Sequence, residues 1–186
     1  MAHRFHRDFT PHWVEKNFQR AMPKKPSRIF VNSMSDLADW TAEWYYKVWC
    51  TIVENPQHLF LYLSKRPWAC EWQGPENAML GYSVTRDGDL HRLIRKGRSR
   101  VSFLSIEPLL GPVNLRLGLY YNWKPRWIIV GAETGNRKEK VRPAFTWIRD
   151  IRDYALMNAI PLFFKESLRP YWTADGYFPQ EYPVHA

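Results

Sequence analysis

Short, nearly unbroken apolar runs recur along this chain, and each ends abruptly in polar residues. Ile29-Phe30-Val31 stops at Asn32-Ser33, His58 to Leu63 stops at Ser64-Lys65-Arg66-Pro67, and Ala78 to Val84 stops at Thr85-Arg86-Asp87-Gly88. Val101 to Ile106 stops at Glu107-Pro108, Trp127 to Val130 at Gly131-Ala132-Glu133-Thr134-Gly135, and Ile160 to Phe164 at Lys165-Glu166-Ser167. Between the first two runs, Leu37, Trp40, Trp44, Val48 and Ile52 fall on one helical stripe, closed by Asn55-Pro56. Leu90 to Lys96 reads as a short helix, and Pro143 opens another on which Phe145, Ile148, Ile151 and Ala155 line up. Leu109 to Asn122 reads as irregular. Strands that are apolar on both faces and alternate with helices or long crossovers belong to a parallel sheet covered by helices.

The fold class predicted is therefore α/β, an incomplete parallel (β/α) barrel of about six strands. A closed eight-unit barrel needs about 250 residues, and 186 suit fewer units. A doubly wound open sheet is the structural alternative, although no glycine-rich first turn follows Val31 and no Walker loop occurs. Residues 1–27 read as an arm, 28–167 as the partial barrel and 168–186 as a tail lying over the surface. Within the arm a helix is expected from about Pro11 to Ala21, ended by Pro23 and Pro26.

Composition narrows the class. A 45% hydrophobic share excludes a disordered chain, and no apolar run approaches the about 18 residues of a membrane span. With no apolar stretch behind the basic N-terminus, a cytoplasmic location is the default expectation. Cys50 and Cys70 match neither a structural zinc pattern nor an iron–sulfur ligand run, and no metal site is expected. No Ser-His-Asp order stands out among the six histidines. The net charge of +9 favours an anionic partner such as nucleic acid, nucleotide or phosphate, and Arg86 to Arg100 is the densest basic stretch.

In parallel α/β folds, ligands bind outside the carboxyl ends of the strands. Those ends nominate Glu107, Lys65 and Glu133 as catalytic candidates. Asn32, Ser33, Asp36, Arg66, Ser83, Gly131 and Lys165 are the binding candidates, with Thr85, Asp87, Ser105, Thr134 and Glu166 nearby in the pattern. Glu107 leads, because it follows an apolar run directly and precedes a proline. Lys65 and Lys165 suit pairing with Glu107 and Glu133, or the anionic part of a ligand. The plainer alternative is that strands end in solvent whatever the function, and that these charges only pair internally.

Six stretches carry a family resemblance: Arg28 to Leu37, Leu63 to Pro67, Leu80 to Val84, Phe103 to Pro112, Trp127 to Gly135 and Pro161 to Lys165. They resemble a phage- and prophage-associated family of uncharacterised proteins that looks like a branch of the radical-SAM barrels. The resemblance implies that Asn32 to Asp36 and the strand ends at Ser83, Glu107 and Glu133 line a cofactor and substrate cavity. In such relatives a first strand and a cysteine-rich loop precede the matching region and hold a [4Fe–4S] cluster that cleaves S-adenosylmethionine. Cys50 and Cys70 cannot replace that loop, so no cofactor is expected on this chain alone. The leading expectation is a non-catalytic or partner-dependent, truncated or split radical-SAM-like barrel protein of phage type. The alternatives are a nucleic-acid-binding or phage-related interaction module, and an enzyme of other chemistry using Glu107, Lys65 and Glu133. A missing first strand would leave an open sheet edge, to be covered by the arm through Trp13 and Phe18, by a second copy, or by a separate cysteine-bearing partner chain.

Overall fold

A computed structural model of the chain describes residues 11–33, 35–69, 73–96, 100–173 and 176–183. Six strands form one sheet: β1 (Arg28–Phe30), β2 (Leu59–Ser64), β3 (Ala78–Val84), β4 (Phe103–Ile106), β5 (Trp127–Val130) and β6 (Leu162–Phe164). Their spatial order is their chain order, every neighbouring pair is parallel, and the sheet curls into a half-barrel. Five helices are described: α1 (Glu15–Phe18), α2 (Ala42–Val53), α3 (Asp87–Lys96), α4 (Leu117–Tyr120) and α5 (Phe145–Met157). Because crossovers between parallel strands are right-handed, a sheet wound steadily in one direction puts its covering helices on one face.

The strand pleat sorts side chains accordingly. On the covered face, Tyr82, Val84, Leu104, Ile106, Ile128, Val130, Leu162 and Phe164 pack with Leu90, Leu93 and Ile94 of α3 and Ile148, Ile151 and Ala155 of α5. Phe60, Tyr62 and Leu80 pack with Leu37 and Ile52. On the opposite face lie Leu59, Leu61, Met79, Phe103 and Trp127, with half-buried Leu63, Ile129 and Phe163 around them. There the Phe103 ring lies flat over Gly81, its register partner, in the space that a Cβ would occupy.

The helical stripe expected from Leu37 onward is split. A 3₁₀ turn at Leu37–Asp39 is capped by Asp36, whose Oδ1 accepts from the Ala38 N–H at 3.0 Å. The α-helix then restarts behind Thr41, whose hydroxyl accepts from the Trp44 N–H at 3.2 Å. Between Leu109 and Asn122, expected to be irregular, the four-residue α4 forms.

Both ends of the chain differ from expectation. The helix expected from Pro11 to Ala21 shrinks to α1, which buries no residue and so lacks the packing that sustains a helix. Trp13 nevertheless docks: its ring lies 4.7 Å from Phe18 and 6.3 Å from Trp44 of α2, with Lys47 above it. The arm therefore packs on α2, the first helix layer. The tail does more than lie over the surface. Gln180 bridges antiparallel to Phe163, the Phe164 N–H donates to the Pro179 carbonyl at 2.8 Å, and the Glu181 N–H donates to the Leu162 carbonyl at 2.9 Å. The segment that covers the β6 edge is thus the tail. Its Tyr182 packs 5.9 Å from Trp127 and 5.1 Å from Phe163, while the Arg28 guanidinium sits 3.5 Å from the Tyr182 ring centre. This contact links the first strand of the half-barrel to the last. Cys70 lies outside the described residues, and among those described no helix is long and apolar enough to cross a membrane.

Candidate functional site

The polar residues at the strand ends divide into fasteners and a group that fastens little. At the ends of β1 and β2, Asn32 is buried and fully employed. Its Nδ2 donates to the carbonyls of Leu63 (2.7 Å) and Ser35 (3.1 Å), and its Oδ1 accepts from the Leu63 N–H at 2.9 Å. Asp36 accepts from the Ser64 hydroxyl at 2.6 Å and the Lys65 N–H at 2.8 Å, besides capping its own turn. The Ser64 hydroxyl in turn accepts from the Arg66 N–H at 2.9 Å. Arg66 pairs with Asp39 at 2.6 Å, which raises the guanidinium pKa further. Ser33 and the Lys65 side chain are exposed.

At the end of β3, Asp89 accepts from both the N–H (2.9 Å) and the hydroxyl (2.8 Å) of Thr85. Burial pushes the Asp89 carboxyl up, but those bonds, a third from the Arg86 N–H and the charge of Arg92 outweigh it and leave the group below its usual range. Asp87 accepts from the Asn114 N–H at 2.9 Å. After β5, Glu133 holds its own loop, accepting from Arg137 at 2.9 Å and from the Val141 N–H at 3.1 Å. The Ser167 hydroxyl fixes the Ala132 N–H at 3.0 Å.

Glu107 is different. It leaves the open face at the end of β4, lies across Gly131 just past β5 and meets Lys165 just past β6, Oε2 to Nζ 2.5 Å. A Cβ on Gly131 would stand 2.9 Å from Glu107 Oε1 and 3.1 Å from its Cγ, so the glycine is what lets the carboxylate cross the strand. The ladder continues beneath this crossing, with Gly131 N–H donating to Ile106 carbonyl (3.1 Å) and Lys165 N–H to Val130 carbonyl (2.9 Å). Both side chains stay within reach of solvent, 28% exposed for Glu107 and 43% for Lys165. One step below, Ser83, Ser105, Ile129 and Phe163 stand in register across β3 to β6. The upper open face therefore offers a carboxylate and an ammonium side by side, the Ser83 hydroxyl next to buried Ser105, and an apolar floor of Leu63, Ile129 and Phe163.

Among the described residues no ion pair joins Lys65, Glu107 and Glu133. Glu107 takes Lys165 as partner, Glu133 is engaged by its loop, and Lys65 contributes its backbone N–H to Asp36. Sequence reading missed Ser64, Asp89 and Ser167 as fasteners. Only Asp89 carried a signal, standing in the first turn of a helix just after a strand that ends in threonine.

The model of a family described only as a protein of unknown function (DUF5131) matches residues 2–174. No curated protein and no solved structure matches the chain. The match takes in all six strands, the Glu107–Lys165 crossing and the fasteners around it, so the chain belongs to the DUF5131 family.

Proposed function

We propose that the chain is a radical-SAM-like half-barrel that binds a small ligand with an amino-acid headgroup on its upper open face and depends on a partner for catalysis. The observation that carries this reading is the Glu107–Lys165 pair laid across Gly131. Opposite charges held side by side and half exposed are complementary to the ammonium and carboxylate of an amino acid. The apolar floor suits the remainder of such a ligand, including the aromatic base of S-adenosylmethionine, and the half-buried Ser83 hydroxyl suits its ribose.

A [4Fe–4S] cluster does not fit these residues. It needs three or four thiolates, whereas the chain has two cysteines, of which Cys50 sits on α2. Among the described residues no three His, Cys, Asp or Glu side chains gather where an ion would be held. The thiolates of such a cluster would come from outside these 186 residues, as from a separate cysteine-bearing chain.

Isothermal titration with S-adenosylhomocysteine tests the binding. Saturable binding is expected, weakened about tenfold or more in Glu107→Gln and Lys165→Met, as for loss of a charge-assisted hydrogen bond. Absence of binding overturns it. Incubation of the chain alone with iron, sulfide, dithionite and S-adenosylmethionine is expected to yield no 5′-deoxyadenosine. Its formation overturns partner dependence.

A further inference from the structure

Helix α3 presents a second feature, separate from the open face. Its Leu90, Leu93 and Ile94 are buried against the sheet. The opposite stripe carries Gly88, His91, Arg92, Arg95 and Lys96, which together line a concavity of about 370 Å³. Those positions are spaced i, i+3, i+4, i+7 and i+8, the pattern of one helix face. Gly88 forms the notch, since a Cβ there would meet nothing within 4 Å.

The charges on this face are cancelled only in part, Arg92 acting on Asp89 from beyond ion-pair distance. Asp87 and Asp89 open the helix, but Asp87 is occupied by the Asn114 N–H and His91, and Asp89 by Thr85. Among the described residues no carboxylate lies within ion-pair distance of Arg92, Arg95 or Lys96. An aromatic ring borders the patch: Lys96 Nζ lies 5.9 Å from the centre of Trp68, which is half-buried against Tyr82.

We infer that this face of α3 is a docking surface for the phosphate backbone of a nucleic acid. Two guanidiniums and an ammonium at helical spacing, none in an ion pair with a described carboxylate, match a row of phosphates, and a neighbouring indole suits a base stacked beside them. An anionic membrane is a poorer fit, because the apolar side of α3 is buried and offers nothing to insert. The chain's net charge of +9 adds long-range attraction to the same partner.

Fluorescence anisotropy of a labelled oligonucleotide, single-stranded and duplex in separate arms, tests this on the full chain across a salt series. Affinity is expected to fall steeply with salt, by about 0.7 to 0.9 in log–log slope for each phosphate contacted. The triple variant R92A/R95A/K96A is expected to bind at least about tenfold more weakly and to lower the slope by about two to three. R92K/R95K is expected to keep the slope. Gly88→Glu puts a carboxylate in the notch without a clash, leaves every cation in place, and is expected to weaken binding as well. The inference is overturned if neither nucleic acid binds, or if orthophosphate displaces the probe at matched ionic strength. It is also overturned if the triple variant, with unchanged circular dichroism, keeps the wild-type slope. Should the triple variant fail to fold, undiminished binding by Gly88→Glu overturns the inference.

Discussion

The two sides of the half-barrel's rim treat a carboxylate in opposite ways. On the β1–β2 side, Asp36 accepts from two backbone N–H groups and one hydroxyl, all within 3.0 Å. On the β4–β6 side, Glu107 meets one flexible ammonium across a glycine. A carboxylate engaged by three donors of the fold has its geometry fixed, and it holds the loops in place. One that faces a single half-exposed ammonium can exchange that partner for a ligand at small cost, because exposed ion pairs contribute little to stability. Similar positions at strand ends thus serve different purposes, and the number and kind of donors separates them.

The most disruptive substitutions should fall on the fastening side and the packed open face. Phe103→Ala removes the ring over Gly81 and should cost about 3–5 kcal/mol in urea unfolding. Gly81→Ala attacks the same contact from below and should cost about 1–3 kcal/mol through overpacking. Asn32→Ala strands buried main-chain groups of Leu63 and should cost about 1–3 kcal/mol, with no direct effect on ligand binding. If Asn32→Ala were neutral, the division of the rim would fail. Glu107→Gln should change stability by less than about 1 kcal/mol while weakening the ligand, the inverse pattern.

A pH series sharpens the same contrast. The Asp89 carboxyl lies below its usual range in the folded chain, so its contribution is present above the unfolded pKa and lost as pH falls through the folded one. The wild-type melting temperature should therefore drop as pH falls below about 4, and Asp89→Asn should start lower and show a shallower drop. An equal drop in both proteins would remove Asp89 from the fastening set. The smallest effect is expected at the tail, where Tyr182→Leu removes the cation–π contact with Arg28 and should cost about 0.5–1 kcal/mol in the same unfolding assay.

Much of this architecture was legible because apolar runs broken by polar residues report parallel strands directly. All six strands lie where those runs occur. The charge pattern placed Glu107 and Lys165 together among the rim candidates, since both follow a run immediately. Sequence put Glu107 first but could not show that Glu133 and Asp36 are occupied, because the donors that engage them lie in loops brought near only by the fold: Val141, Ser64 and Lys65. Nor could it show that the β6 edge is covered by the tail. The tail's pairing with β6 runs through main-chain groups of Pro179 and Glu181, which hydrophobic periodicity does not register. The arm's tryptophan and phenylalanine, more visible in sequence, belong to the other end of the sheet and pack on α2, the first helix layer.

The central claim is that the Glu107–Lys165 crossing binds and the Asp36 cluster only holds. Calorimetric titration of S-adenosylhomocysteine into wild type, Asp36→Asn and Glu107→Gln, with the melting temperature of each recorded, tests it most directly. The account predicts that Asp36→Asn melts lower and binds as wild type does at a temperature where it is folded, whereas Glu107→Gln melts as wild type does and loses binding. The reverse assignment, or equal binding by Glu107→Gln and wild type, would contradict it.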